Sequence, residues 1–461
     1  MQRSQDSQGP DTGPRSSGAT IGRGAGTRPP ATRALPLLGH APAFRSDKLG
    51  FLLRCARQAD VVELKLGRGR TFLLNDPDDI RHVLVTDHHS FTKNTRLMEP
   101  ADPTLFGDAL VGTPKAEHAD KRRALQPVYQ QQHLSAFADV IQSCIDDLAE
   151  RWADRREVDI AEEAVALAQR IRIRVLLGGS AGEAMAALPA ALAARQRYIA
   201  QAFLSPLPFA GRLPLKARRD YRRGQALLER VLLSAIRDRR QEDAPAADLL
   251  SRLLETDDGA PISDQRALDE ARTFLASYEV SSRALAWTLY LLAEHPEAQS
   301  RIVDEAEDAA TPAPSDLLGY PQMVLSEALR LYPPSWLFSR MALDDVTLPS
   351  GPPIPRGSRL FLSPYATHRD PRYFREPERF DPERFRPGPE LRARPRYAYF
   401  PFGGGPHVCI GEGFVRMEAA IVISRLVQRF ELMLTPGAQA TPSPRVTLEL
   451  GGAPRIVLSP R

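Results

Sequence analysis

Between residues 117 and 331 apolar side chains recur every three or four positions, and the longest such run covers 263–294. That period marks helices with one buried face. At 1.5 Å per residue, a helix of about 32 residues reaches roughly 48 Å. It crosses a whole domain, so whatever it passes lies near the centre of the fold. Shorter helical segments are predicted at 134–152, 161–177 and 217–239. Runs of β-branched and bulky residues at 61–66 and 71–74 predict strands, with helices at 48–58 and 77–85 around them. After Pro333 and Pro334 short strands and proline turns take over, until a last helix near 411–430 and an extended tail at 445–457. Residues 1–34 are mostly Gly, Ser, Pro, Thr and Arg with little to bury, so disorder is expected there. No linker divides 35–461. It reads as one large, mainly α domain with small β-sheets.

Composition removes several classes of function. The 61 basic and 57 acidic residues leave a net charge of only +4, and no basic cluster is interleaved with aromatic platforms. Nucleic acid is therefore not an expected partner. Three cysteines, Cys55, Cys144 and Cys409, are too few and too scattered for a disulfide framework or a zinc ribbon, and suit a reducing compartment. The longest apolar stretch, 284–293, is about half the ~20 residues a membrane span needs. The first residues lack the apolar core of a signal peptide. The expectation is a cytoplasmic monomer without a membrane span.

The chemistry concentrates at Phe402-Gly403-Gly404-Gly405-Pro406-His407-Val408-Cys409-Ile410-Gly411. A cysteine just before a helix meets free N–H groups and the positive end of the dipole, which favour a thiolate. Glycines let such a loop bend sharply and present the sulfur to a metal. No second Cys or His stands at zinc-ligand spacing. Taken alone, Cys409 reads more readily as a buried structural thiol beside a flexible loop. The string as a whole resembles the haem-binding signature of the cytochrome P-450 family, Phe-x-x-Gly-x-x-x-Cys-x-Gly, with Phe402, Gly405, Cys409 and Gly411 at the specified positions. The resemblance implies haem b with Cys409 as the iron's axial ligand, in a fold with a long central helix over the haem. A thiolate there pushes electron density toward O–O cleavage.

Further segments agree with the resemblance, in the family's chain order. Glu327-Ala328-Leu329-Arg330 on an amphipathic helix and Pro382-Glu383-Arg384-Phe385 downstream are similar to the family's buried structural triad, here Glu327, Arg330 and Arg384. By itself, an i,i+3 Glu/Arg pair would read as a solvated surface pair. His118 and Arg122, four residues apart on one helix face, match positions that contact the haem propionates, as do Arg340 and His407.

The long helix departs from the pattern. Where the family carries an acid followed by threonine to deliver protons to iron-bound dioxygen, Glu279 is followed by Val280, which has no hydroxyl. Glu279 and Ser281 are the expected catalytic residues. Three routes stay open: a water held by Ser281 or Ser277, a hydroxyl or amine on the substrate, or peroxide-driven or non-hydroxylating chemistry. Family pocket positions fall on Met98, Phe106, Ala276, Val280, Trp336 and Phe338. Their apolar character implies oxidation or hydroxylation of an apolar small molecule, as in secondary metabolism. No Gly-x-Gly-x-x-Gly or cysteine cluster is present for a flavin or iron–sulfur centre. Electrons are expected from a separate ferredoxin or flavodoxin with its NAD(P)H reductase, docking beside Lys121, Arg122 and Arg123. A haem-binding sensor is the rival, resting only on the missing threonine.

Overall fold

Helices carry most of the chain because their starts are capped and their apolar stripes find one another. The computed structural model describes residues 34–67, 69–93, 107, 109–113, 115–204, 216–242, 247–255, 262–308 and 319–461. The expected disorder of 1–34, all but residue 34, lies outside the described residues, as do Met98 and Phe106. The helices that position the site are α1 (Lys48–Ala56), α2 (Lys115–Leu125), α3 (Ala138–Ala153), α4 (Ile160–Leu177) and α5 (Ala181–Leu204). They continue with α6 (Lys216–Gln241), α7 (Asp264–Ala276), α8 (Tyr278–Glu294), α9 (Tyr320–Leu331) and α10 (Glu412–Arg429). Asp159 caps α4 by accepting from the Glu162 amide at 3.0 Å, and Ser263 caps α7 through the Arg266 amide at 3.2 Å.

The 263–294 segment is not one helix. It breaks at Ser277 into α7 and α8. The Ser277 hydroxyl donates to the Phe274 carbonyl at 2.7 Å, and its amide is shared between the Thr273 and Phe274 carbonyls. Competition of this kind for helix carbonyls is a recognised cause of a kink. Periodicity alone does not register it. Beyond the break, residues 278–293 are buried on every side except at Val280, which is 39% exposed.

Twelve short strands lie among the described residues, and ten of them frame the helices. In chain order they are β1 (Val61–Leu64), β2 (Thr71–Leu74), β3 (Phe91–Lys93), β4 (Glu157–Asp159) and β5 (Phe338–Ala342). The rest are β6 (Arg359–Leu362), β7 (Phe430–Leu434), β8 (Thr441–Pro444), β9 (Leu448–Gly451) and β10 (Arg455–Pro460). The largest sheet runs β1-β2-β6-β5-β3. Within it Lys93 lies opposite Arg340. The extended tail forms two sheets: β9 pairs with β8, and β10 pairs with both β7 and β4. One apolar cluster extends from Leu110 to Leu458 and holds α3, α4, α7–α10 together.

Candidate active site

A cavity of about 340 Å³ lies between the break in the long helix and the loop that leads into α10. Phe274, Ser277, Val280 and Ala284 form one wall, and Phe402, His407, Val408 and Cys409 another. The loop reaches this wall because of Gly405, whose φ is +65° and where any Cβ would collide with the Leu84 carbonyl oxygen. It then folds back on itself, the Cys409 amide donating to the Phe402 carbonyl at 3.0 Å. Gly405 thus shapes the loop without lining the cavity.

Cys409 opens onto the cavity. Helix-start geometry predicts a depressed thiol pKa; the structure gives the opposite direction. Burial pushes the thiol up, and the Gly411 amide, Arg122 and Arg172 only partly oppose it. A metal on the sulfur reverses that balance, because a coordinating thiol is deprotonated outright.

Beside the cysteine loop five nitrogen-bearing side chains converge. His407 Nδ1 and His118 Nε2 are 3.1 Å apart, and Arg122 Nη1 donates to the Val408 carbonyl at 2.6 Å. Lys93 Nζ donates to the Val111 carbonyl at 3.2 Å, and Arg340 Nη1 to that of Ser339 at 3.0 Å. Among the described residues no carboxylate pairs with any of the five. The strain is visible in their protonation. Burial, then neighbouring cations, lowers Lys93 to about 8, His118 to about 4 and His407 to about 3, and burial lowers Arg340 to about 10. Buried charges without counter-charge are costly. A ligand that brings carboxylates to this edge and a flat apolar body to the Phe274, Leu329, Phe338 and Phe402 surfaces satisfies both demands. Haem has that form, and Cys409 stands where its iron would need a thiolate. The residues present fit it.

The sequence candidates divide. His118, Arg122, Val280, Phe338, Phe402, His407 and Cys409 line the cavity, and Arg340 lies opposite Lys93 in the adjacent strand. Glu279 does not line it. It is 8% exposed, pushed up by burial, with Arg283 and Arg195 nearby opposing that rise. Ser281 also lies off the wall, its hydroxyl accepting from Arg172 Nη2 at 3.1 Å. Ala276 is half-buried and off the wall, and Trp336 turns away to donate to the Arg445 carbonyl at 3.1 Å.

Glu327 and Arg330 are fully buried. Arg330 Nε and Nη2 donate to the two Glu327 oxygens at 2.7 and 2.8 Å, and its other N–H groups go to the carbonyls of His368, Pro377 and Arg379. Arg384 Nε lies 3.5 Å from Glu327 Oε1. The fork thereby pins α9 to the segment before the cysteine loop.

Sequence reasoning missed three charged wall residues: Lys93, Arg172 and Glu270. Lys93 sits in an edge strand without a motif. Glu270 Oε1 accepts the Leu110 amide at 3.0 Å, and burial raises its carboxyl to about 7. Both acidic and basic examples interrupt otherwise apolar faces, and that is the signal that could have found them.

The sequence model described as Cytochrome P450 matches residues 29–453. Cyclooctatin synthase from Streptomyces melanosporofaciens is 32% identical over 94% of this chain and 95% of its own length. Cyclooctat-9-en-7-ol 5-monooxygenase from the same organism is 32% identical over 88% and 90%, and pentalenene oxygenase from Streptomyces avermitilis 30% over 91% and 93%. The haem domain of cytochrome P450DA superimposes with a TM-score of 0.82 at 22% identity, covering 95% of this chain and 98% of that one. With the family's sequence model and its relatives spanning nearly the whole length, this chain belongs to the cytochrome P-450 family.

Proposed function

We propose that this cytochrome P-450 monooxygenase hydroxylates a polycyclic terpene that already carries a hydroxyl group. The family supplies the reaction class, a haem-thiolate oxidation with dioxygen. The terpene reading draws on the names of the relatives, two of which act on or make cyclooctatin-type compounds. The carrying observation is Val280, an apolar residue open to the cavity where the family's proton-relay hydroxyl would stand.

Bound haem activates dioxygen, and a thiolate ligand favours O–O cleavage. The chain's own residues do the rest. Cys409 provides the thiolate. Lys93, Arg122 and Arg340 would neutralise the propionates, which relieves their own lack of counter-charge, and His118 and His407 would orient them through their ring nitrogens. Leu329, Phe338 and Val280 exclude water and hold an apolar skeleton. Ser281 is turned to Arg172, so a water anchored by Ser281 loses support. A substrate hydroxyl near Val280 takes the threonine's place, and Glu279, whose carboxyl burial pushes up, stands behind the helix. Peroxide-driven turnover remains the competing chemistry. A ferredoxin or flavodoxin docks beside α2, whose Arg123 is exposed. We further propose that 35–461 works as one haem domain, as a monomer, in the cytoplasm.

The test is direct. Reduced, CO-treated protein gives the red-shifted Soret band of a thiolate-ligated haem, and Cys409→Ala abolishes it. With ferredoxin, reductase and NAD(P)H, cyclic terpene alcohols shift the Soret band and gain one oxygen atom. Loaded protein that ignores terpene alcohols yet oxidises the parent hydrocarbons would refute the substrate-hydroxyl reading.

A further inference from the structure

Helix α4 carries arginines at 170, 172 and 174. Four residues apart, Arg170 and Arg174 share a face, and both reach Asp147, at 3.0 and 2.9 Å. Arg172 points the other way and is 1% exposed. Its guanidinium grips three elements at once. Nε donates to Ser277 Oγ at 3.0 Å and Nη2 to Ser281 Oγ at 3.1 Å. Nη1 and Nη2 also hold the two Glu418 oxygens on α10, each at 3.0 Å. The group lies 4.3 Å from the ring centre of Phe414 and 5.3 Å from that of Phe274.

Two of these partners lie at and just beyond the break in the long helix. Ser277 is the break itself, and Ser281 belongs to the first turn of α8. Spaced by four, they share one face. Val280 sits about 100° round from Ser281, since a helix turns once in 3.6 residues. A rotation of that size would bring a hydroxyl to the cavity wall and withdraw two methyl groups. Besides Arg172, Ser281 Oγ bonds Glu418, the arginine's own ion-pair partner, and donates to the Tyr278 carbonyl at a long 3.4 Å. We propose that Arg172 is a positioning residue that sets the rotation of the first turn of α8, so that Val280 faces the cavity and Ser281 is kept off it. The consequence for chemistry rests on reading this cavity as the reaction site; the geometric claim does not.

An ion pair with Glu418 would by itself account for a buried arginine, so the experiment separates the pair from the two serine contacts. Ser277→Ala combined with Ser281→Ala removes both contacts, together with the Ser281 bond to Glu418, and leaves the pair. In haem-loaded protein, amide hydrogen exchange across 277–283 is expected to quicken about tenfold, the scale of losing hydrogen bonds to a charged group. Alanine favours helix more than serine does, so faster exchange would not reflect a weaker helix former. Arg172→Met combined with Glu418→Leu replaces the pair by apolar side chains, a change that buried pairs often tolerate. It is expected to give the same local acceleration, and in both proteins peroxide released per product formed rises several-fold. Unchanged exchange across 277–283 in the serine variant overturns the proposal, as does acceleration confined to the pair variant and spread through α4 and α10. Exchange needs no substrate, so an error in the terpene assignment would leave this result standing.

Discussion

At the scale of single residues, the cavity is governed by groups whose charge or lack of a hydroxyl has no internal compensation. Lys93 is pushed down to about 8 by burial and by Arg340. A propionate beside it raises that value again, so haem uptake binds a proton whenever Lys93 starts neutral. Affinity of the haem-free protein for haem should therefore be level below pH 8 and fall above it, by up to about tenfold per pH unit. Soret titrations from pH 7 to 9.5 measure this, and Lys93→Met should flatten the curve while weakening binding at pH 7. Val280 is the second case. If oxygen activation is built around a substrate hydroxyl, Val280→Thr adds a competing hydroxyl and does not improve the native reaction. Product formed per NAD(P)H consumed should stay level or fall. A several-fold rise would mark Val280 as a defect in proton delivery.

Among secondary-structure elements, the buried fork between α9 and the Pro382–Phe385 turn does the holding. Removing Glu327 leaves Arg330, with 0% exposure, facing carbonyls alone. Breaking a buried pair in this way costs roughly 3–5 kcal/mol. Glu327→Ala should give little haem-loaded protein and a markedly lower melting temperature, with Cys409 intact in sequence but misplaced; size-exclusion and Soret-to-protein absorbance ratios report it. This fork and the cysteine loop were legible in sequence because their spacing is local: Glu327 to Arg330 is one helical turn, and Phe402 to Cys409 one loop. The break at Ser277 was not legible. It turns on Ser277 bonding back to the Phe274 carbonyl and meeting Arg172, 105 residues away, and that serine reads like any other helical position. Trp336 shows the same limit: it stands before β5 begins at Phe338, so strand alternation does not orient it, and its ring goes to a neighbouring apolar cluster while Phe338 lines the cavity. Helical existence and order could be read; which face a residue presents required the neighbours.

Across the whole molecule, pH acts through buried groups that pull in opposite directions. His118 and His407 are lowered to about 4 and about 3. The unfolded chain holds their protons more tightly, so their contribution makes stability rise with pH up to about 6.5. Glu270 and Asp79 are raised by burial to about 7 and about 6. For these the folded state binds the proton more tightly, so stability is greatest at low pH and declines through the window from the unfolded value to the folded one. Of these four groups, Glu270 has the window that reaches highest, to about 7. Glu270→Gln keeps an oxygen for the Leu110 amide, which donates to it at 3.0 Å, and removes the ionisation. The variant should melt like wild type near pH 4.5 and become progressively more stable than it up to about pH 7, then hold a constant margin. With a rise of this size the margin is at most about 3 kcal/mol. Melting temperatures of the haem-loaded pair at half-unit steps from pH 4.5 to 8 decide it. A margin that shrinks as pH rises would mean that the carboxylate, once ionised, is stabilised by Lys121 and Arg266, which lower its pKa, more than burial penalises it.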